Sequence, residues 1–491
     1  MSAEQKEDQT MARLMWVLTG ILAGAAAMQV AAKDNGTSMS TSPPRPEAVA
    51  ALRARGPEGL AQALSIYDGL HQKQAQLMFA CSSTPGVELK QVGRDLEAWS
   101  AAIDQIGAQR DCTVSRLYWY TDLAGAKEAA ERTGRPILSL RMLGKLTDEY
   151  SCANSRFFRT ALYSNKEISD YLRKNFTLHW QSVRPVPRVT IDFGDGRKLA
   201  RTLTGNSAHY VLASDGTPLD VLPGLYSPQE FLKWLRTVHD LDESYNRATQ
   251  AESAPGPARA EILKRFHQGC RDAILQAWDR DLQRLGERQV NLVSSRINIA
   301  MEAAQLVGEP VPDNRAPKAR TAAQRAVAKS AAEVPLLRFA NYGGQWMEKG
   351  MDDDLWNAIA RLHRPEVRLD GSSIEVMKRE APAARVAARL TASKAQVENP
   401  VLRMVRTFEE SIALDTVRNE YLLHRRVHEM LARTASGSMD FDALNEWVYA
   451  DLFLTPSSDP WLGLAPPDVY TALENGGCVV PKARAANRDG G

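Results

Sequence analysis

The sequence predicts an α/β domain at about residues 116–240, embedded between mostly α-helical regions. Within that span, short apolar or aromatic runs alternate with segments of helical periodicity, which is the pattern of an α/β sandwich around a mixed sheet. On either side, apolar residues recur at the three- and four-residue spacing of one helix face. The chain has 491 residues, 44% hydrophobic and 24% charged. That length and composition are typical of a globular protein with two or three domains.

The first 32 residues predict an export signal. Arg13 precedes the apolar run LMWVLTGILAGAAAMQV, and Val30-Ala31-Ala32 supplies small residues at the cleavage position, in the order of a secretory signal. A retained anchor is the alternative, because the run is nearly long enough to span a bilayer. We therefore expect the protein to be periplasmic or secreted after cleavage or, if the run is retained, anchored in the membrane and facing the periplasm. Residues 33–45 follow as a linker.

The charge balance limits the classes of partner. A formal net charge of +2 argues against an electrostatic nucleic-acid binder, so we expect a client or partner protein. The sequence contains no Gly-rich phosphate loop, nucleophile elbow or kinase signature, and no cofactor is expected. The basic stretch at 314–332, inside a Pro/Ala/Arg-rich linker near 309–336, is interpreted as a solvated linker or helix.

Residues 46–115 are predicted to form a helical region. Within it, Leu96, Trp99, Ile103 and Ile106 recur at helical spacing. A stripe of this kind indicates the buried face of a helix, so these side chains are expected in the core rather than in a functional site.

The first half of the α/β domain has clear local signals. RLYWY, at 116–120, predicts a short aromatic strand. The next segment predicts a helix, with Thr121 or Asp122 as its N-cap and Gly134 closing its end. RPILSLRML follows as a nearly continuous apolar run, which is typical of a strand buried on both faces.

The second half of the domain begins with the loop at Cys152 and two helical stretches. FTLHWQSV then predicts a strand. Asp195-Gly196 lies between two strand-like arms and indicates a hairpin. Two further strands are expected around the turn at Asp215-Gly216.

A helix closes the domain and leads into the remaining regions. Ser227 and Glu230 have the spacing of a capping box, with Pro228 at the first helical position. Residues 241–440 are predicted as a second helical region. Residues 441–491 are rich in Pro, Gly and aromatic residues, which indicates an ordered extended tail that packs on another part of the protein.

The order of these elements resembles the thioredoxin-like fold of exported bacterial proteins. The matching features include Trp119, Gly134-Arg135-Pro136 before the buried strand, Cys152 at a helix start, and the closing segment GLYSPQEFLKWL. The whole chain is also similar to an uncharacterised family of large exported bacterial proteins that embed such a domain between helical regions. That second resemblance rests on the segments SCANSRFFRTALYS, LHWQSVRPVP, ALDTVRNEYLLHRR and SDPWLGLAPPDVYTALENGG.

The thioredoxin-like resemblance implies thiol–disulfide exchange, with Cys152 of a Cys-x-x-Ser motif as the nucleophile. A cysteine at a helix N-terminus lies at the positive end of the helix dipole, which favours its thiolate. Ser155 and Arg156 are the candidate residues that assist it. The enzyme would then be a monothiol oxidoreductase or isomerase that acts on a client protein.

Two departures from the family pattern favour a different function. A dithiol enzyme resolves its mixed disulfide with a second cysteine, whereas Ser155 stands at that position. The family's cis-proline, a feature that shapes the client groove, is replaced by Ser207-Ala208. The alternative is therefore a non-catalytic protein-interaction module of the envelope, built on a degenerate thioredoxin fold.

The other cysteines are too sparse for a disulfide framework. If Cys152 is unpaired, the remaining four allow three different pairings, which the sequence does not distinguish. These four are Cys81, Cys112, Cys270 and Cys478.

Glu420, His424 and His428 follow one another at i, i+4 and i+8. That spacing presents a carboxylate and two imidazoles on one helix face, where they are candidate metal ligands. The complete His-Glu-x-x-His signature is missing, and Arg425 and Arg426 next to His424 are unfavourable for a cation. The favoured interpretation is a charged, partly buried helix face, with a metal site as the alternative.

Overall fold

A computed structural model describes residues 43–79, 85–202, 205–251, 255–285, 353–380, 400–434, 440–462 and 472–478. The expected export signal and the Pro/Ala/Arg-rich segment near 309–336 lie outside these residues, as does most of the linker predicted at 33–45. Within the described ranges, no helix combines the length and the apolar character needed to cross a membrane.

The described residues form a mostly helical protein with a central mixed sheet of four strands and a small separate hairpin. The α-helices are α1 Pro46–Ala54, α2 Pro57–Phe79, α3 Pro85–Gly107, α4 Cys112–Ser115, α5 Leu123–Thr133, α6 Ala153–Phe157, α7 Lys166–Asn175, α8 Pro228–Ala251, α9 Pro255–Leu285, α10 Asp353–Leu362, α11 Gly371–Glu380, α12 Pro400–Arg418, α13 Arg425–Arg433 and α14 Phe441–Trp447. The strands are β1 Ile137–Leu143, β2 Thr177–Arg184, β3 Arg188–Asp192, β4 Lys198–Thr202, β5 Ser207–Leu212 and β6 Pro218–Pro223.

Short π-helical and 3₁₀ segments join several of these helices. The π-helical segments are Phe158–Leu162, Asn419–His424 and Val448–Leu452. The 3₁₀ segments are Arg364–Val367 and Glu474–Gly477.

The described residues divide into two compact units, a smaller one with residues 65–79 and 85–99 and a larger one with residues 45–64 and 100–478. The smaller unit is helical, and an ion pair of 2.8 Å joins Lys73 Nζ to Glu88 Oε1. The described residues between 46 and 115 are thus mostly helical.

The larger unit contains the sheet, whose strand order is β2-β1-β5-β6. β1 is parallel to β2 and antiparallel to β5, and β5 is antiparallel to β6. All seven residues of β1 are buried, because the strand is central and covered on both faces. The mixed sheet and the doubly buried strand are both confirmed.

Local signals for turns and caps are also confirmed. Asp122 caps α5 by accepting a hydrogen bond from the Gly125 N–H at 2.6 Å. Gly134 ends that helix with a φ of 66°, a left-handed conformation that costs glycine little. The hairpin of β3 and β4 turns around Asp195.

The strand predicted at 116–120 does not form. Only Tyr120 makes a bridge, to His179 of β2. The Trp119 N–H donates instead to the carbonyl of Gly107 at 3.1 Å. The main chain before Tyr120 is thus paired with the end of α3, and the contact with β2 is a single bridge at Tyr120.

The predicted capping box at the start of α8 is half formed. The Glu230 N–H donates to Ser227 Oγ at 3.3 Å. The Ser227 N–H, however, donates to Thr416 Oγ1 at 2.8 Å, and the Glu230 carboxylate pairs with Lys233. A residue distant in sequence thus replaces the second hydrogen bond of the box. Helix α8 also continues through the boundary expected at residue 240.

The region predicted as an extended tail begins with helix α14 and a π-helical turn. Phe441, Leu444, Val448 and Leu452 recur at helical spacing and are buried, which explains why this part is not extended. After it, Arg184 donates to the carbonyls of Thr455, Pro456 and Asp459 at 2.7–2.9 Å. The described part of this segment therefore contacts the end of β2, while residues 463–471 and 479–491 lie outside the described residues.

Candidate functional site

Cys152 lies at the start of α6, as the sequence predicted. It is the N-cap residue, and its Sγ accepts a hydrogen bond from the Ser155 N–H at 3.4 Å. The Ser155 hydroxyl donates to the Cys152 carbonyl at 3.0 Å. The structure therefore brings Cys152 and Ser155 into direct contact, and Arg156 donates nearby to the carbonyl of Ser151.

Burial determines the chemistry of this cysteine. Cys152 and Ser155 both have 0% of their surface exposed. Burial raises the pKa of the Cys152 thiol, and the hydrogen bonds from Ser155 and the charge of Arg156 offset this only in part. A buried neutral thiol is a poor nucleophile, because the thiolate is the reactive form and a disulfide must reach the sulfur.

The loop beside the Cys152 corner is held by the chain itself. Asn154 Nδ2 donates to Ser207 Oγ at 2.9 Å. Asn206 Nδ2 donates to Thr455 Oγ1 at 3.1 Å, and the Tyr449 hydroxyl donates to the Asn206 carbonyl at 3.4 Å. Asn206, which precedes Ser207-Ala208, is therefore contacted by the C-terminal segment of this chain.

Among the described residues, the cysteines form no disulfide with one another. Cys112, Cys152, Cys270 and Cys478 are all free thiols. Cys81 lies outside the described residues. Burial raises the pKa of Cys270 to about 12.

The second candidate site contains Glu420, His424 and His428, and the structure adds Asp220 from β6. His424 Nδ1 lies 2.9 Å from Glu420 Oε2, and His424 Nε2 lies 3.5 Å from Asp220 Oδ2. His428 Nδ1 lies 3.8 Å from Asp220 Oδ1. Asp220, His424 and His428 each offer one ligand atom, and these atoms lie within 4.8 Å of one another. The carboxylate and the two imidazoles are therefore placed where they could hold a metal ion.

Two further side chains hold this cluster. Trp234 Nε1 donates to Asp220 Oδ2 at 2.9 Å. His267 Nδ1, from α9, lies 2.9 Å from His428 Nδ1, so one of these nitrogens donates and the other accepts. Sequence analysis missed Asp220 and His267. The only local signal was an aspartate within the apolar strand PLDVLP.

Burial and mutual charge set the protonation of the cluster. Burial alone would raise the pKa of Asp220, but the charge of the adjacent His424 imidazolium holds it below its usual range. Burial alone would lower the pKa of His424, but Glu420 and Asp220 raise it to about 10. Burial and the charge of His424 keep the pKa of His428 well below its usual value. Asp220 is therefore charged, His424 protonated and His428 neutral at neutral pH.

The cluster borders a cavity of about 500 Å³ in the larger unit. Its charged and titratable lining consists of Asp220, Tyr226, Glu230, Lys233, Cys270, Arg280, Asp281, Arg284, His363, Glu366, Glu420, Tyr421, His424 and His428. Apolar side chains such as Phe266 and Ile274 also line it. A concave space with an apolar wall and several polar groups is the usual form of a ligand-binding site.

The Cys152 corner and the cavity are built on different elements, and the cavity does not include Cys152, Ser155 or Arg156. Comparisons with protein-family models, with curated proteins and with solved structures found no match. The function is therefore inferred from the geometry of the two sites.

Proposed function

We propose that this chain is a non-catalytic binding protein of the cell envelope, built on a degenerate thioredoxin-like domain, and that its binding site is the cavity beside β6. Two features support the domain assignment. β1 and β2 are parallel and are linked through α6 and α7. The antiparallel pair β5 and β6 then leads into the closing helix α8. The envelope location follows from the export signal predicted in the first 32 residues.

The complete burial of Cys152 is the observation that carries this proposal. Thiol–disulfide exchange requires a thiolate that approaches the sulfur of a second molecule in line. The raised pKa of Cys152 opposes the thiolate, and its burial opposes the approach.

Contacts from the C-terminal segment add a second argument. Tyr449 and Thr455 already bind the main chain and side chain of Asn206. A client that used this loop would have to displace them. The cavity beside β6 is lined by both acidic and basic groups, so it offers a partner polar contacts that need no such displacement.

Monothiol disulfide exchange or isomerisation through Cys152 is the second candidate function. It is favoured by the Ser155 N–H, which donates to Cys152 Sγ at the start of α6 and would stabilise a thiolate. In this case the segment that contains Tyr449 and Thr455 must first move away from Asn206.

Alkylation of the native full-length chain distinguishes the two functions. We expect iodoacetamide to modify Cys152 at least roughly 100-fold more slowly than Cys478, because a buried thiol reacts only through transient opening. Peptide mass spectrometry measures each rate. Cys112 is equally buried and should be similarly slow, and urea should remove the differences. Modification of Cys152 as fast as that of Cys478, or a client disulfide-linked to Cys152, would contradict the proposal.

A further inference from the structure

We propose that Asp220, His424 and His428 bind a divalent transition-metal ion of the zinc class at the wall of the cavity. This inference rests on the proposed function in so far as the cavity is the binding site. It does not depend on the reactivity of Cys152.

The distances within the cluster suit ligands that share one ion. Two ligands of a tetrahedral zinc ion, each ~2.1 Å from the metal, lie ~3.4 Å from one another. His424 Nε2 is 3.5 Å from Asp220 Oδ2, and His428 Nδ1 is 3.8 Å from Asp220 Oδ1. These separations are too long for good hydrogen bonds. They require only small shifts to meet around a metal, and His424 Nε2 releases its proton to solvent when the metal binds.

The cluster also contains buried polar atoms without a hydrogen bond. Within the described part of the chain, neither Asp220 Oδ1 nor His424 Nε2 has a hydrogen-bond partner. Buried polar atoms in native proteins are nearly always paired, and an unpaired one requires an explanation such as an ion. A metal between these two atoms would satisfy both.

The groups around the three ligands are those that a metal site uses to orient them. Metal-binding histidines usually hydrogen-bond through their second nitrogen to a carboxylate or another polar group. Glu420 contacts His424 at Nδ1, the nitrogen opposite the one that faces Asp220. Trp234 holds Asp220. We therefore assign Glu420 and Trp234 as positioning residues. His267 contacts His428 at Nδ1, the nitrogen that also faces Asp220, so a metal bound at Nδ1 replaces that hydrogen bond.

The chemistry of the donors indicates the class of metal. Two imidazoles and one carboxylate are the nitrogen and oxygen donors that zinc accepts with a fourth position left for water or another ligand. Because Asp220, His424 and His428 all line the cavity, that fourth position can be reached by a molecule in it.

Zinc binding to the untagged full-length chain tests the inference. After chelation and dialysis, we expect a calorimetric titration with ZnCl₂ to show a single equivalent, and Co²⁺ to give the visible absorption of a tetrahedral site. His424→Gln and His428→Gln should each weaken zinc binding at least roughly 100-fold, because a ligand is lost. Glu420→Gln should weaken it roughly 10- to 100-fold, as expected for an orienting residue.

His239→Gln is the matched control, since His239 packs on Tyr171 and Phe176 and does not line the cavity. The affinity of His239→Gln for Zn²⁺ should equal that of the unmodified chain.

Absence of Zn²⁺ binding by the unmodified chain, or full binding by His428→Gln, would overturn the inference. If a ligand variant fails to fold, the zinc stoichiometry and Co²⁺ spectrum of the unmodified chain still decide. If Cys152 is alkylated slowly but Zn²⁺ does not bind, only the metal-site inference is contradicted. If Cys152 is alkylated fast and Zn²⁺ binds, only the proposed function is contradicted.

Discussion

At the scale of single residues, the wall of the cavity contains a second buried interaction, between Asp281 and His363. His363 Nε2 lies 2.6 Å from Asp281 Oδ2, which also accepts a hydrogen bond from the Tyr421 hydroxyl. The hydrogen bond to Asp281 raises the pKa of His363 to about 9. Burial alone would raise the pKa of Asp281, but His363 and Tyr421 lower it. The pair is therefore ionised at neutral pH and links α9 to the residues after α10.

Replacement of His363 by glutamine should make the free energy of unfolding less dependent on pH. A histidine whose pKa is raised on folding stabilises the native state fully below its unfolded pKa, and this contribution is lost as pH rises through about 9. The His363 side chain is 23% exposed, so a stabilisation of ~1–3 kcal/mol is expected at pH 6. Urea unfolding at pH 6, 8 and 10 measures it.

The loss in His363→Gln should be largest at pH 6 and small at pH 10. Asp281→Asn provides the matched control, because the double variant should lose less than the sum of the two single variants. A loss that is independent of pH, or additive in the double variant, would show that the pair contributes no electrostatic stability.

At the scale of elements, the start of α8 is held by α12. Thr416 Oγ1 accepts from the Ser227 N–H at 2.8 Å and donates to the Ile412 carbonyl at 2.7 Å. Both Ser227 and Thr416 are buried, so water does not replace these hydrogen bonds. The contact fixes the position of α8, whose Trp234 in turn holds Asp220.

Thr416→Val should destabilise the protein by ~1–3 kcal/mol, because it keeps the shape of the side chain but leaves the buried Ser227 N–H without its acceptor. Chemical denaturation followed by circular dichroism measures the change. Thr237→Val on α8 is the control, since the Thr237 hydroxyl is exposed and donates to the Lys233 carbonyl of its own helix. Its effect should stay within ~0.5 kcal/mol. Equal effects of the two substitutions would argue against the proposed role of Thr416.

At the scale of the larger unit, Arg184 connects the end of β2 to the C-terminal segment. Its guanidinium donates to three carbonyls between Thr455 and Asp459. Thr455 also binds Asn206, beside the Cys152 corner. The closed state of that corner thus depends on contacts between distant parts of the chain.

Arg184→Ala should increase the alkylation rate of Cys152 by roughly 10-fold, because loss of these contacts favours local opening of the segment. Peptide mass spectrometry after timed iodoacetamide treatment measures the rate. Arg188→Ala is the control, since Arg188 contacts the ring of Tyr150 and not the C-terminal segment. If limited proteolysis shows that Arg184→Ala releases the segment while Cys152 remains protected, the segment is not what closes the corner.

The features that the sequence predicted correctly are local ones. Asp122 and Gly134 delimit α5, and Asp195 marks the hairpin. The position of Cys152 at a helix start belongs to the same class. Each depends on hydrogen bonds or dihedral angles within a few residues, so the residue types at those positions are sufficient to indicate it.

The tertiary structure decided the features that depend on distant pairings. Ser227 and Thr416 are 189 residues apart, and Asn206 and Thr455 are 249 apart. The capping-box prediction was therefore only partly correct, because only one of its two hydrogen bonds forms. The burial of Cys152 likewise could not be predicted from its own motif.

By itself, the sequence determined most of the alternation of strands and helices, the two ends of α5 and the helical spacing of Glu420, His424 and His428. Only the tertiary structure decided that Cys152 is enclosed and that Asp220 joins the two histidines. The physical reason is that local propensity acts between near neighbours in the chain. The burial of Cys152 and the grouping of Asp220 with the two histidines arise instead from packing between segments that are far apart in the chain. Such packing leaves no periodic pattern in the sequence.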